Sequence, residues 1–241
     1  MSTTATAQTK EARPGPPEVD APSVLRDVHR RLLPRYGLPT LGNKPDPLDE
    51  LVFIFLSART GYRQFERLYD DLRDVFPSWE DLAEADVSDI EDAIREAGLA
   101  RKRARWIKEL LEEIRRRVGV LSLDCLQDMD DEEAEAFLCS LPGVGQKTAR
   151  CVLMYSLNRD LFPVDTHARR ILERLGLLDP TLHPLKSHDA GQDLVPKGYR
   201  RDLHILFVVH GREVCLANLP RCGSCAVLDL CPTGRAATDG V

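Results

Sequence analysis

Apolar residues recur at helical spacing along most of the chain from Ala21 onward. The segment PLDELVFIFLSA, which begins at Pro47, is apolar on most sides and predicts a central core helix. In RKRARWIKELLEEIRRRVG, the apolar positions fall three or four residues apart and predict one buried helix face, made of Ala104, Ile107, Leu110, Leu111, Ile114 and Val118. We find no strand-like alternation of period two and no internal repeat. The pattern predicts an all-α protein of about ten short helices.

Capping residues mark where several of these helices should begin, and they are Ser23, the pair Ser78 and Asp81, and the pair Ser88 and Glu91. Gly98 predicts the end of the helix that follows Ser88. Further helices are predicted near residues 131–140, 145–157, 166–176 and 198–212. Residues 1–20 contain almost no large apolar side chain, and we interpret them as a disordered tail without an assigned function.

Composition places the chain among ordinary globular proteins, with 43% hydrophobic and 30% charged residues. The N-terminus lacks a signal-peptide pattern, and no apolar run reaches the roughly 20 residues that span a membrane. We therefore expect an intracellular protein, in the cytoplasm or nucleoid if bacterial. The net charge of -6 argues only weakly against a nucleic-acid partner, because basic surfaces can be local. The outward face of residues 101–118 carries eight basic and three acidic residues and is either a solvated face or a phosphate-facing surface.

The seven cysteines fall into two groups. Cys125, Cys139 and Cys151 stand in apolar surroundings and are predicted to be small buried side chains. The other four cluster near the C-terminus with the spacing C-x6-C-x2-C-x5-C, and they are Cys215, Cys222, Cys225 and Cys231. In an intracellular protein such a cluster indicates metal binding rather than disulfides. Four thiolates suit either tetrahedral zinc or an iron–sulfur cluster, and the spacing alone favours neither strongly.

The stretch LPGVGQKTA contains a tight Gly-rich turn that leads into a helix, with the turn formed by Leu141, Pro142, Gly143, Val144 and Gly145. Its two glycines suit positions where φ is positive or another backbone comes close. A turn of this kind can present backbone N–H groups to a phosphate, although it can equally be an ordinary corner between two helices. Lys147 follows in the first helical turn, where the helix dipole disfavours a positive charge and so favours a neutral, nucleophilic amine.

A carboxylate follows at the start of the next helix, because Asp165 directly precedes THARRILERLG. Asp165 is a candidate N-cap, and capping does not exclude catalysis. An ionised carboxylate there can stabilise a cationic sugar and can help to deprotonate a lysine. His167 is interpreted as a packing or capping residue.

Together these motifs resemble the endonuclease III family of DNA repair glycosylases. The resemblance is carried by LPGVGQKTA, LFPVDTH, HGREVC, the cysteine spacing, and the position of Lys147 eighteen residues before Asp165. It runs from about Asp46 to Cys231. It implies a helix-hairpin-helix motif and a two-lobed helical fold, with a six-helix barrel at 44–159 and an iron–sulfur domain at 21–43 plus 160–236. It also implies that a [4Fe–4S] cluster is held by Cys215, Cys222, Cys225 and Cys231.

The resemblance implies a monomer that acts on double-stranded DNA with a damaged base or an abasic site, and no membrane contact. Lys147 would attack C1′ and expel the base as a Schiff base forms, and loss of a C2′ proton would allow β-elimination. The expected activity is a bifunctional glycosylase and abasic-site lyase for oxidised pyrimidines. The alternatives are a uracil or thymine-mismatch glycosylase, a DNA-binding homologue with weak catalysis, and an iron–sulfur electron carrier.

The segment LSARTGY departs from the family pattern. The resemblance places Arg59 and Thr60 in the loop that fills the space left by an extruded nucleotide, where the family commonly has glutamine in place of Arg59 and an acidic residue in place of Tyr62. Adenine-removing relatives carry a glutamate on the preceding helix, and Glu50 lies too early to match it. This departure bears on the choice of base and on efficiency, whereas Lys147 and Asp165 are unaffected.

Overall fold

The computed structural model describes residues 20–57, 62–96 and 99–239, leaving aside the side chains of residues 62–65 and 239. The predicted tail, apart from Asp20, lies outside these residues, and so do Arg59, Thr60, Gly98 and the side chain of Tyr62. Within the described part of the chain the regular structure is entirely helical, as predicted.

In the described ranges, twelve α-helices follow one another. They are α1 (Ala21–Tyr36), α2 (Pro47–Ser57), α3 (Tyr62–Val75), α4 (Trp79–Glu84), α5 (Val87–Ala93), α6 (Ala100–Val118), α7 (Asp131–Cys139), α8 (Gln146–Ser156), α9 (Thr166–Arg174), α10 (Pro184–Leu194), α11 (Arg200–Glu213) and α12 (Pro232–Asp239). Three short 3-10 helices occupy Asp124–Asp128, Cys222–Ser224 and Leu228–Leu230.

The predicted caps are right in one case and wrong in two. The capping box of Ser78 with Asp81 is confirmed, since both reciprocal hydrogen bonds form. Helix α1 begins before Ser23 and is capped by Asp20, which accepts a hydrogen bond from the Ser23 N–H. Helix α5 begins at Val87, so Ser88 lies inside it, and the helix ends at Ala93 rather than at Gly98. In both wrong cases an aspartate upstream of the serine occupies the N-cap position.

Helix α10 is absent from the sequence-based prediction. Its sequence PLKSHDAGQDL has few large apolar residues and therefore no apolar stripe that would predict a helix. Only Ser187 and Gly191 are buried, so the helix packs through its backbone and small side chains. Pro184 at its first position, after the His183 cap, is the local pattern that could have indicated it.

The buried side chains form two main clusters. The first surrounds α2, whose residues from Pro47 to Leu56 are all buried except Asp49, as the all-round apolar pattern predicts. The second joins α1 to α9 and α11. The chain passes from the first cluster to the second between Leu161 and Phe162, directly before Asp165. Asp165 therefore lies where the two packed regions meet.

No helix in the described ranges is both long enough and apolar enough to cross a membrane.

Candidate active site between the two helical clusters

The Gly-rich turn joins α7 to α8 as a compact hairpin. Gly143 has φ of +74°, as predicted, and a Cβ there would lie 3.2 Å from the Phe55 ring, so both conformation and space require glycine. Gly145 is different: its φ is -102°, nothing lies within 4 Å of an added Cβ, and it serves as the N-cap of α8. The side chains of Leu141 and Val144 are buried, so these two residues face a ligand only through their backbone. Pro142 is partly exposed.

Lys147 is the second residue of α8 and lines a cavity of about 740 Å³. The first N–H groups of α8 have no partner within the helix, so the hairpin and the helix N-terminus together present donors next to this cavity. Cys151 lies one turn further along α8 and contributes to the same wall of the cavity.

Asp165 reaches the same cavity from the second packed region. It is the N-cap of α9, as predicted, and its Oδ1 accepts a hydrogen bond from the Ala168 N–H at 2.7 Å. Burial opposes its charge, but nearby His204 and His167, the Ala168 N–H and Lys147 outweigh that effect and lower the pKa of Asp165. The structure thus brings together on one cavity the two residues that lie eighteen positions apart in sequence.

The charge of Lys147 differs from the expectation of a neutral amine. Burial by itself lowers the pKa of Lys147, but the negative charges available from Cys151, Asp165 and Glu50 more than compensate, and the net direction is upward. The pKa of the buried Cys151 thiol is raised to about 12, so at neutral pH the charge that favours the ammonium form comes from Asp165 and from the ionised fraction of Glu50. Because the lysine is protonated at rest, a nucleophilic role requires that a proton leave Nζ once a substrate is in place.

Glu50, which the sequence comparison set aside as too early to match the family's glutamate, acts electrostatically on Lys147. It is fully buried in the first turn of α2 and accepts hydrogen bonds from the Lys44 N–H at 2.7 Å and from the Asn43 amide. Burial raises the pKa of Glu50 to about 7, with the hydrogen bonds and Lys147 acting in the opposite direction. The pattern that could have revealed Glu50 is a carboxylate heading an otherwise apolar core helix, ELVFIFLS.

Replacing Glu50 with glutamine should remove a pH dependence of stability. The folded-state pKa of about 7 exceeds the ordinary 4.5, so the folded protein holds one proton more than the unfolded chain between these values. Stability then falls as pH rises through this window, by about 3 kcal/mol in total. Urea unfolding of wild type and Glu50→Gln at pH 5 and pH 8 measures the difference, with the exposed Glu84→Gln as control.

In the Glu50→Gln variant, the introduced side-chain amide has a hydrogen-bond partner in Asn43. The Asn43 Oδ1 atom is buried and lacks a hydrogen-bond partner among the described residues, so a flip of the Asn43 amide lets this oxygen accept from the N–H of the introduced glutamine. A stability difference between wild type and Glu50→Gln that stays constant from pH 5 to pH 8 would contradict a raised Glu50 pKa.

The N-terminal end of α6 lies beside the hairpin. Trp106 packs against Phe55 and comes within 3.9 Å of a Cβ built at Gly143, and the Lys102 ammonium lies 4.5 Å from the Trp106 ring centre. Arg101 and Arg105 are exposed on the same turns. At the far end of the helix, Glu113 pairs instead with Arg116 and Arg117.

Two residues near this end of α6 depart from the expected pattern. Arg103 does not face outward with the other basic residues, because it is buried and donates a hydrogen bond to the Leu56 carbonyl at 2.9 Å. Leu99, which precedes the helix, has φ of +65° and leaves 57% of its surface exposed. An apolar side chain exposed on a strained backbone is a pattern that often marks a functional position.

The four C-terminal cysteines line one small apolar cavity together with Arg174 and Val214. Two N–H donors approach the sulfur atoms, Arg174 at 3.2 Å from Cys215 Sγ and the Gly234 N–H at 3.3 Å from Cys231 Sγ. His210 Nε2 lies 3.5 Å from Cys225 Sγ. Within the described residues, no three histidine, cysteine or acidic side chains are grouped so that they could hold a metal ion. The sulfurs instead stand around a cavity with N–H donors directed at them, which suits a larger thiolate-bound group.

The other three cysteines differ in exposure. Cys151 is buried, as predicted, and Cys125 is partly buried. The prediction for Cys139 is wrong, because it is exposed at the end of α7 where the chain turns into the hairpin.

Comparison with known proteins agrees with this arrangement. A model of the HhH-GPD superfamily base excision DNA repair protein matches residues 52–197. Endonuclease III of Sulfolobus acidocaldarius is 34% identical over 173 residues, which cover 69% of this chain and 71% of that protein. Endonuclease III of Thermotoga maritima is 29% identical over 208 residues, covering 86% and 92% respectively. An Arabidopsis thaliana protein named as a candidate DNA glycosylase is 38% identical over 68% of this chain, a match that spans only 56% of the plant protein.

Solved structures share the fold. Endonuclease III in a non-covalent complex with DNA superposes with a TM-score of 0.78 and 24% identity, over 90% of this chain and 98% of that one. A thermostable thymine-DNA glycosylase superposes with a TM-score of 0.75 and 21% identity, over 89% and 98%. The two-lobed, all-helical architecture expected from the sequence is therefore confirmed.

Proposed function

The chain belongs to the HhH-GPD superfamily of base excision DNA repair proteins and is a DNA glycosylase, and from this premise we propose that it is bifunctional, releasing a damaged base and then cleaving the DNA strand as an abasic-site lyase. The observation that carries the proposal is the placement of Lys147 and Asp165 on one cavity at the end of the hairpin. A lysine is the residue type that permits a covalent imine with the sugar.

In the proposed reaction, Lys147 is the nucleophile and Asp165 stabilises the charge that its attack creates. After Lys147 loses a proton, its amine attacks C1′ of the extruded nucleotide, and the C1′–N bond to the base breaks with its electron pair moving to the base. The Asp165 carboxylate, held ionised at the start of α9, stabilises the positive charge that develops on the sugar. The sugar ring then opens: Nζ loses a proton, the C1′–O4′ bond breaks, O4′ takes up a proton, and a protonated imine forms between Nζ and C1′. Loss of a C2′ proton expels the 3′ phosphate by β-elimination and leaves the strand cut.

We propose oxidised pyrimidines as the substrates, in agreement with the named endonuclease III relatives. The second candidate is removal of uracil or of mismatched thymine, which the shared fold of a thymine-DNA glycosylase keeps open. A panel of duplexes, each with one defined lesion, separates them when base release and strand cleavage are measured independently. Release of uracil or mismatched thymine without release of oxidised pyrimidines would overturn the proposal that oxidised pyrimidines are the substrates. A protein that binds these duplexes but releases no base would instead be a DNA-binding homologue.

The hairpin, from Leu141 to Gly145, is proposed to hold a backbone phosphate through its N–H groups beside the nucleophile. Because the target nucleotide must leave the base stack, the vacated space needs a filler. We propose Leu99 as an apolar wedge for this space, since its side chain is exposed on a strained backbone directly before the start of α6. Arg59 and Thr60 remain proposed contributors from the loop after α2.

The exposed cations Arg101, Lys102 and Arg105 are proposed to contact phosphates on the DNA flanking the lesion. Replacing all three with glutamine is expected to reduce the salt dependence of DNA affinity, lowering the slope of log K against log salt concentration by about 2 to 3. Fluorescence anisotropy with a labelled duplex at several salt concentrations measures this slope. The control is the double variant Arg115→Gln and Arg116→Gln, which lies about 20 Å further along the same helix. This variant should leave the slope of log K against log salt concentration unchanged. Equal slopes in the triple variant and wild type would exclude this surface.

A [4Fe–4S] cluster is proposed for the cavity lined by Cys215, Cys222, Cys225 and Cys231, whose donor-surrounded sulfurs fit such a group. When bound, the cluster would tie the C-terminal loop to α9 and α11 as a structural crosslink. Anaerobically purified protein is expected to be brown and to contain about four iron atoms and four sulfides per chain. A colourless protein with one zinc per chain would contradict the proposal.

We also propose the division into a barrel at 44–159 and an iron–sulfur domain at 21–43 plus 160–236, in agreement with the change of buried cluster between Leu161 and Phe162. A monomer is proposed as the acting form on duplex DNA.

A further inference from the structure

We propose that Arg150 is a positioning residue for the lysine chemistry: acting through α10, it fixes helix α8, which carries Lys147, relative to the segment that ends at Asp165. The inference rests on the proposed function, because it concerns the geometry of the same two residues. It assigns a role to α10, a helix that has few large apolar side chains and contributes none of its residues to the cavity wall.

The Arg150 side chain is only 6% exposed and binds two other helices at once. Its Nε donates to Glu135 of α7 at 2.7 Å, and its two terminal nitrogens donate to the Asp189 carboxylate and the His188 carbonyl of α10, each at 2.7 Å. Gln146, one turn earlier on α8, donates to the same two carboxylates at 2.8 and 2.7 Å. The first two turns of α8, on which Lys147 lies, are therefore held against α10 by two parallel sets of hydrogen bonds.

The following turn of α10 contacts the segment before Asp165. The Gln192 Oε1 atom accepts a hydrogen bond from the Phe162 N–H at 2.6 Å. Gly191 packs so closely that a Cβ there would lie 2.5 Å from a methyl carbon of Val164. Phe162 and Val164 immediately precede Asp165, so α10 contacts the chain on both sides of the site within one helix.

A planar guanidinium suits this role because it fixes direction as well as distance. Buried ion pairs stabilise proteins weakly once desolvation is counted, so a large gain in stability is not the expected benefit of this one. Reacting groups, by contrast, lose about 100-fold in rate when they are displaced by ~1 Å. The network is therefore expected to matter more for the reaction rate than for the stability of the fold.

Arg159 provides a matched control within the same lobe. It is also mostly buried, and it donates to Asp131 at 2.9 Å and to the carbonyls of Leu126 and Met129 at 2.6 and 2.7 Å. These partners all belong to the connection before α7 and the start of α7, so Arg159 has the same chemistry without a link to α10.

The test compares Arg150→Lys with Arg159→Lys in the full-length protein. Three quantities are measured: the single-turnover rate of borohydride trapping on an abasic duplex, the Kd for the same duplex, and amide hydrogen exchange. Arg150→Lys is expected to slow trapping about 10- to 100-fold, with Kd changed less than about threefold, and to speed exchange in residues 162–165 and 184–194. Arg159→Lys should leave all three unchanged apart from exchange near Leu126. Asp189→Asn should slow trapping in the wild type but add little in the Arg150→Lys background.

Equal trapping rates for the two lysine variants, or unchanged exchange at residues 162–165 in Arg150→Lys, would overturn the positioning role. A failure of the positioning role can be told apart from a failure of the proposed lyase activity. If wild type forms no trapped adduct, the lyase proposal fails, and the exchange at 162–165 still decides whether Arg150 holds the two segments together. If Arg150→Lys does not fold, Asp189→Asn, which changes a largely exposed partner, carries the same comparison.

Discussion

Replacing Lys147 with glutamine is expected to abolish the covalent adduct that borohydride traps on an abasic duplex. Glutamine has nearly the length of lysine but no amine that can form an imine, so the loss should be complete to the limit of detection. Strand cleavage by β-elimination should disappear with it, because that step proceeds from the imine. Trapping of a labelled duplex, followed by denaturing gel electrophoresis, measures both products.

The control for Lys147→Gln is Lys197→Gln, which removes an exposed lysine outside the cavity lining and should trap like wild type. DNA affinity should change little in either variant, because the hairpin N–H groups and the α6 cations remain. If Lys147→Gln still yields an adduct at the wild-type rate, another amine is the nucleophile and the assignment of Lys147 is wrong.

Replacing Asp165 with asparagine is expected to slow base release about 10²- to 10⁴-fold, the usual contribution of a carboxylate that acts in the transition state. Asparagine can still accept the hydrogen bond from the Ala168 N–H, so α9 should keep its cap and the fold its stability. Single-turnover release from a lesion duplex, together with thermal unfolding, separates the lost charge from the retained cap.

The same variant should show a characteristic pH dependence on a duplex that already contains an abasic site. Asp165 helps to hold the Lys147 pKa above its ordinary value, so removing its charge lowers that pKa. The neutral amine then forms at lower pH, and the rising limb of the trapping rate should move toward acid. Asp130→Asn, which alters the cap of α7 outside the cavity, is the control. Wild-type rates of base release in Asp165→Asn would exclude a catalytic role for the carboxylate.

Several site residues could be predicted from short stretches of sequence because their roles are local. A Gly-rich turn between two helices and an aspartate before a helix each determine their own backbone geometry within a few residues. Gly143 adopts its positive φ and Asp165 caps α9 as these patterns predict. The all-round apolar character of α2 likewise sufficed to identify it as a core helix.

Other features depended on contacts between distant segments and could not be predicted locally. The upward shift of the Lys147 pKa depends on Cys151 and on carboxyl groups contributed by α2 and α9, which together outweigh burial. Arg103 resembled a solvated basic residue, but it is buried because the Leu56 carbonyl offers it a partner. Helix α10 went unrecognised because glycine packing and a hydrogen-bond network hold it, rather than an apolar stripe.

The sequence by itself determined the helical class, the hairpin and the cap at Asp165, since periodicity and capping are properties of neighbouring residues. The pairing of Lys147 with Asp165 was implied by the resemblance to the endonuclease III family. Only the tertiary structure decided that Lys147 and Asp165 line one cavity, that Glu50 lies buried behind it, and that α10 contacts both sides of the site. The physical reason is that distance and desolvation depend on which segments pack together. A carboxylate far away in sequence can thereby shift the pKa of Lys147.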